Sequence, residues 1–197
     1  MVNVVGNASA RPVLNNVTFS GNRASYGGGM YFGEQDGIVI NCTFSGNEAD
    51  FGSGLYVING TPEVKNCIFW NDGGGNEIVE NGAVAVVTRS VVRDGFLTGS
   101  SIITEDPDLG PLADNGGLTQ THALPAGSSA IDKGTSAGAP STDQRGISRP
   151  QGSGYDIGAF EFEVTSPGGG GGGCGIWGAS FPGILLLILP MLLLIRK

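Results

Sequence analysis

The chain has 197 residues, 36 of them Gly, with 14% charged residues and a formal net charge of −8; average usage is roughly 7% Gly and roughly 25% charged. Glycine costs about 1 kcal/mol per helical position relative to Ala, which argues against a helical bundle or coiled coil, and a 40% hydrophobic content argues against wholesale disorder. Eighteen acids face eight bases before residue 168, and only Arg196 and Lys197 follow, so the body is strongly acidic and a nucleic-acid partner is disfavoured.

The N-terminal half repeats. NNVTFSGN at residues 15–22 returns as INCTFSGN at 40–47 and, degraded, as KNCIFWND at 65–72. Phe19, Phe44 and Phe69 therefore fall 25 residues apart, as do Asn16, Asn41 and Asn66, and as do Val17, Cys42 and Cys67. A second motif keeps the same step, GGGMYF at 27–32 aligning on GSGLYV at 52–57. A unit of this length holds about three short strands plus turns, one rung of a parallel solenoid. Val17 and Phe19 point one way and Thr18 and Ser20 the other, the parity of a strand with one buried face. Leu14, Val39 and Val64 form a second apolar column. Between the columns Asn16, Asn41 and Asn66 read as an asparagine ladder at a corner, because Asn tolerates left-handed backbone and its amide can bond the next rung. The glycine clusters serve another corner.

Roughly four rungs, stacked about 4.8 Å apart, would make a column about 20 Å long. The fourth, at residues 83–95, departs from the step, since Val92 lies 23 after Phe69. Met1 begins inside a rung, with Gly6 where Tyr31 and Tyr56 stand later, and the opening MVNVVGNASARPV has no basic region followed by the apolar core of a signal peptide. The expectation is a true N terminus upstream and, with an open first rung, poor solubility of this chain alone.

These residues resemble known families. NCTFSGN with GGGMY resembles the rungs of right-handed parallel β-helix surface proteins, including the polymorphic outer-membrane protein repeats of bacteria. Downstream, DPDLGPLADNGGLTQTHALPAGSSAIDKG at residues 106–134, TDQRGISRP at 142–150 and YDIGAFE at 155–161 resemble the choice-of-anchor Q domain, whose members carry varied C-terminal anchors and bring no characteristic catalysis. Together they imply an all-β right-handed parallel β-helix over residues 1–100 and a loop-rich cap over 101–163. Leu109, Leu112, Leu118, Leu124, Ile131, Ile157 and Phe160 supply the cap with apolar surface to cover a terminal rung. Asp143 and Arg145 suit either ligand binding or the tying of loops, and tying is the ordinary use.

Residues 164–175 form a glycine-rich tether, and 176–197 a hydrophobic segment whose 176–195 portion, about 30 Å as a helix, matches a bilayer core despite Pro182 and Pro190. Arg196 and Lys197 should stay cytoplasmic, leaving the body outside. The order of glycine run, Cys, Leu-rich segment and basic end resembles bacterial C-terminal sorting signals. That resemblance implies cleavage near Gly173 and Cys174 by a sorting protease, with Cys174 as a lipidation candidate; the alternative is a permanent membrane anchor formed by one C-terminal transmembrane-type helix.

Little points to chemistry. Cys42 and Cys67 share a column within disulfide range, yet parallel side chains with Val17 in the same column favour buried thiols. Of the sequons at Asn7, Asn16, Asn41 and Asn59, two are ladder positions and read as by-products of the rung motif. His122 stands alone and reads as structural. Glu34, Asp36, Glu48, Asp50 and Asp72 fall on loops, and Arg89, Arg93 and Asp94 on the last rung, without the paired carboxylates of glycoside or uronate chemistry. Asp106 and Asp108 are weak candidates for calcium, and no cofactor is called for. The resulting expectation is a non-catalytic, exported, surface-displayed protein serving adhesion, envelope structure or carbohydrate contact, with a membrane partner at its C terminus. The alternatives are a fragment of a polysaccharide lyase or hydrolase and a passive stalk presenting another domain.

Overall fold

The computed structural model describes residues 2–5 (backbone only), 11–33, 36–71 and 75–164. The hydrophobic segment at 176–197, the tether, Gly173, Cys174, Arg196 and Lys197 lie outside the described residues, as do Glu34 and Asp72. Among the described residues no helix is long and apolar enough to cross a membrane.

A short strand β1 (Val2–Val5) precedes the first full rung, made of β2 (Val13–Asn15), β3 (Thr18–Ser20), β4 (Arg23–Tyr26) and β5 (Met30–Gly33). The second repeats it with β6 (Ile38–Ile40), β7 (Thr43–Ser45), β8 (Glu48–Phe51) and β9 (Leu55–Ile58). The third has β10 (Glu63–Lys65), β11 (Ile68–Trp70) and β12 (Ile78–Asn81), and β13 (Val86–Val92) and β14 (Ser100–Ile103) follow. Every contact between successive rungs is parallel and in register: Phe19 faces Phe44, Phe44 faces Phe69, and Met30 faces Leu55. Register then shortens to 23, pairing Leu55 with Ile78 and Phe69 with Val92. The two lost residues lie between Trp70 and Ile78; the solenoid makes about three turns, fewer than the four expected, and β13 stacks on the third with its register moved by two.

The core is a stack of like side chains. Phe19, Phe44 and Phe69 lie ring on ring, with centroids 4.6 and 4.5 Å apart and planes 8° from parallel. Val39 and Val64 fill the second column with no exposure, and Met30, Phe32, Leu55 and Val57 fill the third. Cys42 and Cys67 are buried free thiols, and burial pushes the Cys67 thiol well up. The corner between the first two columns is left-handed in every layer. Asn16, Asn41 and Asn66 have φ of 55°, 50° and 51°, and the column continues through Arg89 and Ser101 at 44° and 56°.

The segment after residue 100 differs from a simple end cap. The last rung is covered by β14, paired to β13, and by Phe96 and Ile102 packed against the core. The remainder, with the hairpin β15 (Leu112–Ala113) and β16 (Thr121–His122), runs along the flank and lies as a clasp on the outward face of β3, β7, β11 and β13. Ile68 and Val91 bury there against Leu124, Ala130, Ile157 and Phe160. The physical reason is that outward positions in the upper rungs are apolar, IFW replacing TFS, and must be covered. Gly158 sits at φ +101°, and a Cβ on it would come within 2.7 Å of Ile68 Cδ1 and 2.9 Å of Thr43 Oγ1.

The clasp also claims the predicted ladder. Asn16 Nδ2 donates to the Thr142 carbonyl, Asn41 Nδ2 to those of Asp156 and Gly158, and Asn66 Nδ2 to Thr135. The bond between neighbouring rungs is Asn66 Nδ2 to Asn41 Oδ1, at 3.2 Å. The continuous ladder is formed instead by the last Asn of each motif. Asn22 Nδ2 donates to Asn47 Oδ1 at 2.8 Å, Asn47 Nδ2 to Asn71 Oδ1 at 2.9 Å, and Asn71 Nδ2 to Glu77 Oε2 at 2.6 Å. A carboxylate only accepts, so Glu77 terminates the chain of donors. Arg93 Nε reaches its Oε1 at 3.1 Å. Burial raises the Glu77 pKa, opposed by Asn71 and Arg93.

Candidate functional site

Where β4 and β8 end, the sequence places an aromatic residue directly before a glycine-rich triplet: Tyr26 before Gly27, Gly28 and Gly29, and Phe51 before Gly52, Ser53 and Gly54. Gly27 and Gly52 take φ of +59° and +67°, and a Cβ on Gly29 would come within 2.5 Å of the Phe44 ring and 2.8 Å of the Gly54 carbonyl. The backbone thus turns hard against the core phenylalanines, a close approach that only glycine permits.

Outside this corner four aromatic rings meet. Tyr26 stacks on Phe51 at 5.4 Å, Tyr31 stacks on Tyr56 at 5.6 Å, and Tyr26 meets Tyr56 edge-on at 5.1 Å. Tyr56 is buried and its hydroxyl accepts from Asn81 Nδ2 at 2.9 Å, whereas Tyr26 and Phe51 are 46% and 51% exposed. A fixed base thereby carries a solvent-facing aromatic shelf. Single exposed aromatics are ordinary, whereas a contiguous group spanning two rungs is the kind of patch that contact surfaces use. On β4 and β8, Arg23 pairs with Glu48 at 3.1 Å, and these two with Ser25 and Asp50 line a separate depression of about 320 Å³ that includes neither ring. Exposed ring faces of this kind suit ligands that present an apolar face.

Glu48 and Asp50, expected on loops, lie on β8, which continues the stacked strand of the first rung; the other residues singled out from sequence occupy other places. Phe19, Phe44 and Phe69 are core, and Asn41 and Asn66 are fully buried. Asp143 and Arg145 tie loops: Asp143 Oδ2 accepts from Arg145 Nε and from Glu161 N, its Oδ1 accepts from Arg145 N and Ile147 N, and the Arg145 guanidinium lies 3.6 Å over Phe160. Behind them Arg149 and Glu161 form an ion pair at 2.7 Å with neither side chain exposed; burial lowers the Arg149 pKa, resisted by the Glu161 charge.

His122 ties the clasp to the column, its Nδ1 2.7 Å from the Gly110 carbonyl and its Nε2 2.9 Å from Ser20 Oγ. A carbonyl only accepts, so Nδ1 donates to Gly110, and Nε2 is left to pair with the Ser20 hydroxyl. Asp106 Oδ1 accepts from Asp108 N in a local turn. Among the described residues no three His, Cys, Asp or Glu side chains gather as a metal site. Asp36 is held by the Thr61 hydroxyl and N–H, which lower its pKa, and Arg93 and Asp94 are engaged with Glu77.

Asp156 links stability to pH. Its carboxyl accepts from Asp132 N and Phe162 N, yet burial pushes its pKa from 3.8 to about 6. Between those values the folded chain binds more protons than the unfolded one, so stability falls as pH rises through this window. Melting temperature should therefore be higher at about pH 4.5 than at about pH 7.5, by the equivalent of roughly 2 kcal/mol. A circular-dichroism series in pH checks it, and the slope should flatten in Asp156→Asn.

A parallel column of registered rungs with stacked core residues defines a β-solenoid. The profile of the family described as a right-handed β-helix region matches residues 3–109, and the chain belongs to that family. No curated protein and no solved structure matches it. The sequence reading missed Tyr26 and Phe51, although an aromatic residue immediately ahead of each triplet, 25 residues apart, was the signal.

Proposed function

We propose that this β-helix is a non-catalytic, surface-displayed protein that contacts glycans through the shelf of Tyr26, Phe51, Tyr31 and Tyr56. The observation that carries the reading is the pair of half-exposed rings fixed over a buried tyrosine. Non-catalytic contact is favoured because the buried carboxylates Asp143, Asp156, Glu77 and Glu161 are engaged by backbone N–H groups or arginines. Such carboxylates are poorly placed to shuttle protons to a bound substrate. Display outside the cell rests on the resemblance to choice-of-anchor Q proteins and on the tail, with a permanent anchor and a sorted, cleaved terminus as its two forms. Mass spectrometry of the mature C terminus separates those forms.

The test is retention of the full chain on polysaccharide. Tyr26→Ala/Phe51→Ala should weaken retention about tenfold, the equivalent of about 1.4 kcal/mol, while the melting temperature falls only modestly, since both side chains are half exposed and lose chiefly their mutual stacking. Equal retention of the variant and the parent would remove the shelf from the reading. The passive-stalk and enzyme-fragment alternatives predict no effect of these two side chains.

A further inference from the structure

We propose that the free edge of β12 docks an extended peptide segment of a partner protein, one with an apolar residue followed two positions later by a lysine or arginine. The sheet of β1, β5, β9 and β12 gains one strand per rung, because the chain crosses it within residues 21–37, 46–62 and 71–85. After β13 the chain instead takes the short path 93–99 straight to β14, through turns closed by Gly95 N on the Val92 carbonyl and Gly99 N on the Phe96 carbonyl. The neighbouring sheet thus receives a further layer, whereas β12 stays the last strand of its own.

Leu55 N donates to the Glu77 carbonyl and Asn59 N to the Asn81 carbonyl. Alternation along the strand turns the N–H and C=O groups of Ile78 and Glu80 to the opposite edge, where no strand lies among the described residues. Ile78 and Glu80 line an open depression of about 490 Å³ with Asn76, Asp94 and the fully exposed Leu97. Phe96 and Ile102 pack on the core, so the core is closed while the edge is open. Ile78 faces Leu55 and Glu80 faces Val57, both inward residues, so an added parallel strand sets one side chain over Ile78 and the next but one over Glu80. The first position asks for an apolar group and the second for a cation. Both ionisable groups of the lining, Glu80 and Asp94, are acids. Each uses one oxygen to accept a backbone N–H, from Ala85 and Glu77, which leaves the other for the cation. The nearby Arg93 is held by Glu77 at 3.1 Å. In strand addition main-chain bonds give affinity and alternate side chains give specificity. A second copy paired here about a two-fold axis would instead bring two acidic edges together.

The experiment is fluorescence anisotropy of labelled nine-residue peptides titrated with the full chain. GSTITKTSG is expected to bind saturably, GSTITQTSG about tenfold more weakly, and GSTITETSG more weakly still, with the lysine advantage falling at high salt. GSTIPKTSG lacks the N–H that the Ile78 carbonyl would accept and should not bind. Glu80→Gln/Asp94→Asn, which keeps both side-chain acceptors, should erase the lysine advantage while the glutamine peptide binds as before. Equal binding of the proline and lysine peptides would overturn strand addition, and equal binding of the lysine and glutamate peptides would overturn the basic preference. Binding by none of the peptides, or a dimer in sedimentation that excludes them, would overturn the proposal as a whole.

Discussion

Arg149→Met should cost about 3 to 5 kcal/mol, because it leaves a carboxylate buried without its counter-charge. Glu161 has no side-chain exposure and lies 2.7 Å from the Arg149 guanidinium. The same guanidinium donates to the carbonyls of Asp156 and Gly158, the latter at 2.8 Å, and those two carbonyls also accept from Asn41 on the column. One side chain therefore holds the clasp together and shapes the strip that docks it. With total stabilities of about 5–15 kcal/mol for ordinary domains, the loss should release the clasp before the column. Urea unfolding should show a lower midpoint, and limited proteolysis should cut within residues 105–164 first. An unchanged midpoint would mean that the clasp does not depend on this pair.

Phe44→Ala should be of similar size, about 3 to 5 kcal/mol, for a different reason. Its ring has Phe19 on one face and Phe69 on the other, and it is wholly buried. Truncation opens a cavity in the middle of the column, and the rungs on either side are held at their spacing by backbone bonds such as Thr43 N to the Val17 carbonyl and Ile68 N to the Cys42 carbonyl. The void cannot collapse. Phe44→Leu should recover more than half of the loss, and a comparison of thermal unfolding for the two variants checks it. Equal losses would show that stacking, not volume, is what the column requires.

These effects trace which features of the fold were legible in sequence. A 25-residue step locates inward phenylalanines because a parallel solenoid repeats its environment once per rung, and the left-handed asparagine corner follows from the same step. Corner geometry belongs to the column more than to Asn, as Arg89 and Ser101 adopt it in the upper layers. The path of the amides was not legible: an outward Asn bonds whatever lies over it, and here that is the clasp. Asn22, Asn47 and Asn71 sit in the quoted motif, but nothing local says that their side chains point inward. The clasp's position was hinted at by Ile68, Trp70 and Val91, apolar residues at outward parity. For the shelf, periodicity favoured the buried column over the aromatic residues at strand ends, although both recur at the same step.

Function depends on whether the shelf binds without breaking its ligand. The most direct measurement incubates the full chain with a panel of neutral and uronate polysaccharides and follows both retention and product. The account predicts retention on a glycan that depends on Tyr26 and Phe51, with no new reducing ends and no unsaturated product from any polymer. Release of either product by the purified chain would contradict non-catalytic contact and favour the enzyme-fragment alternative.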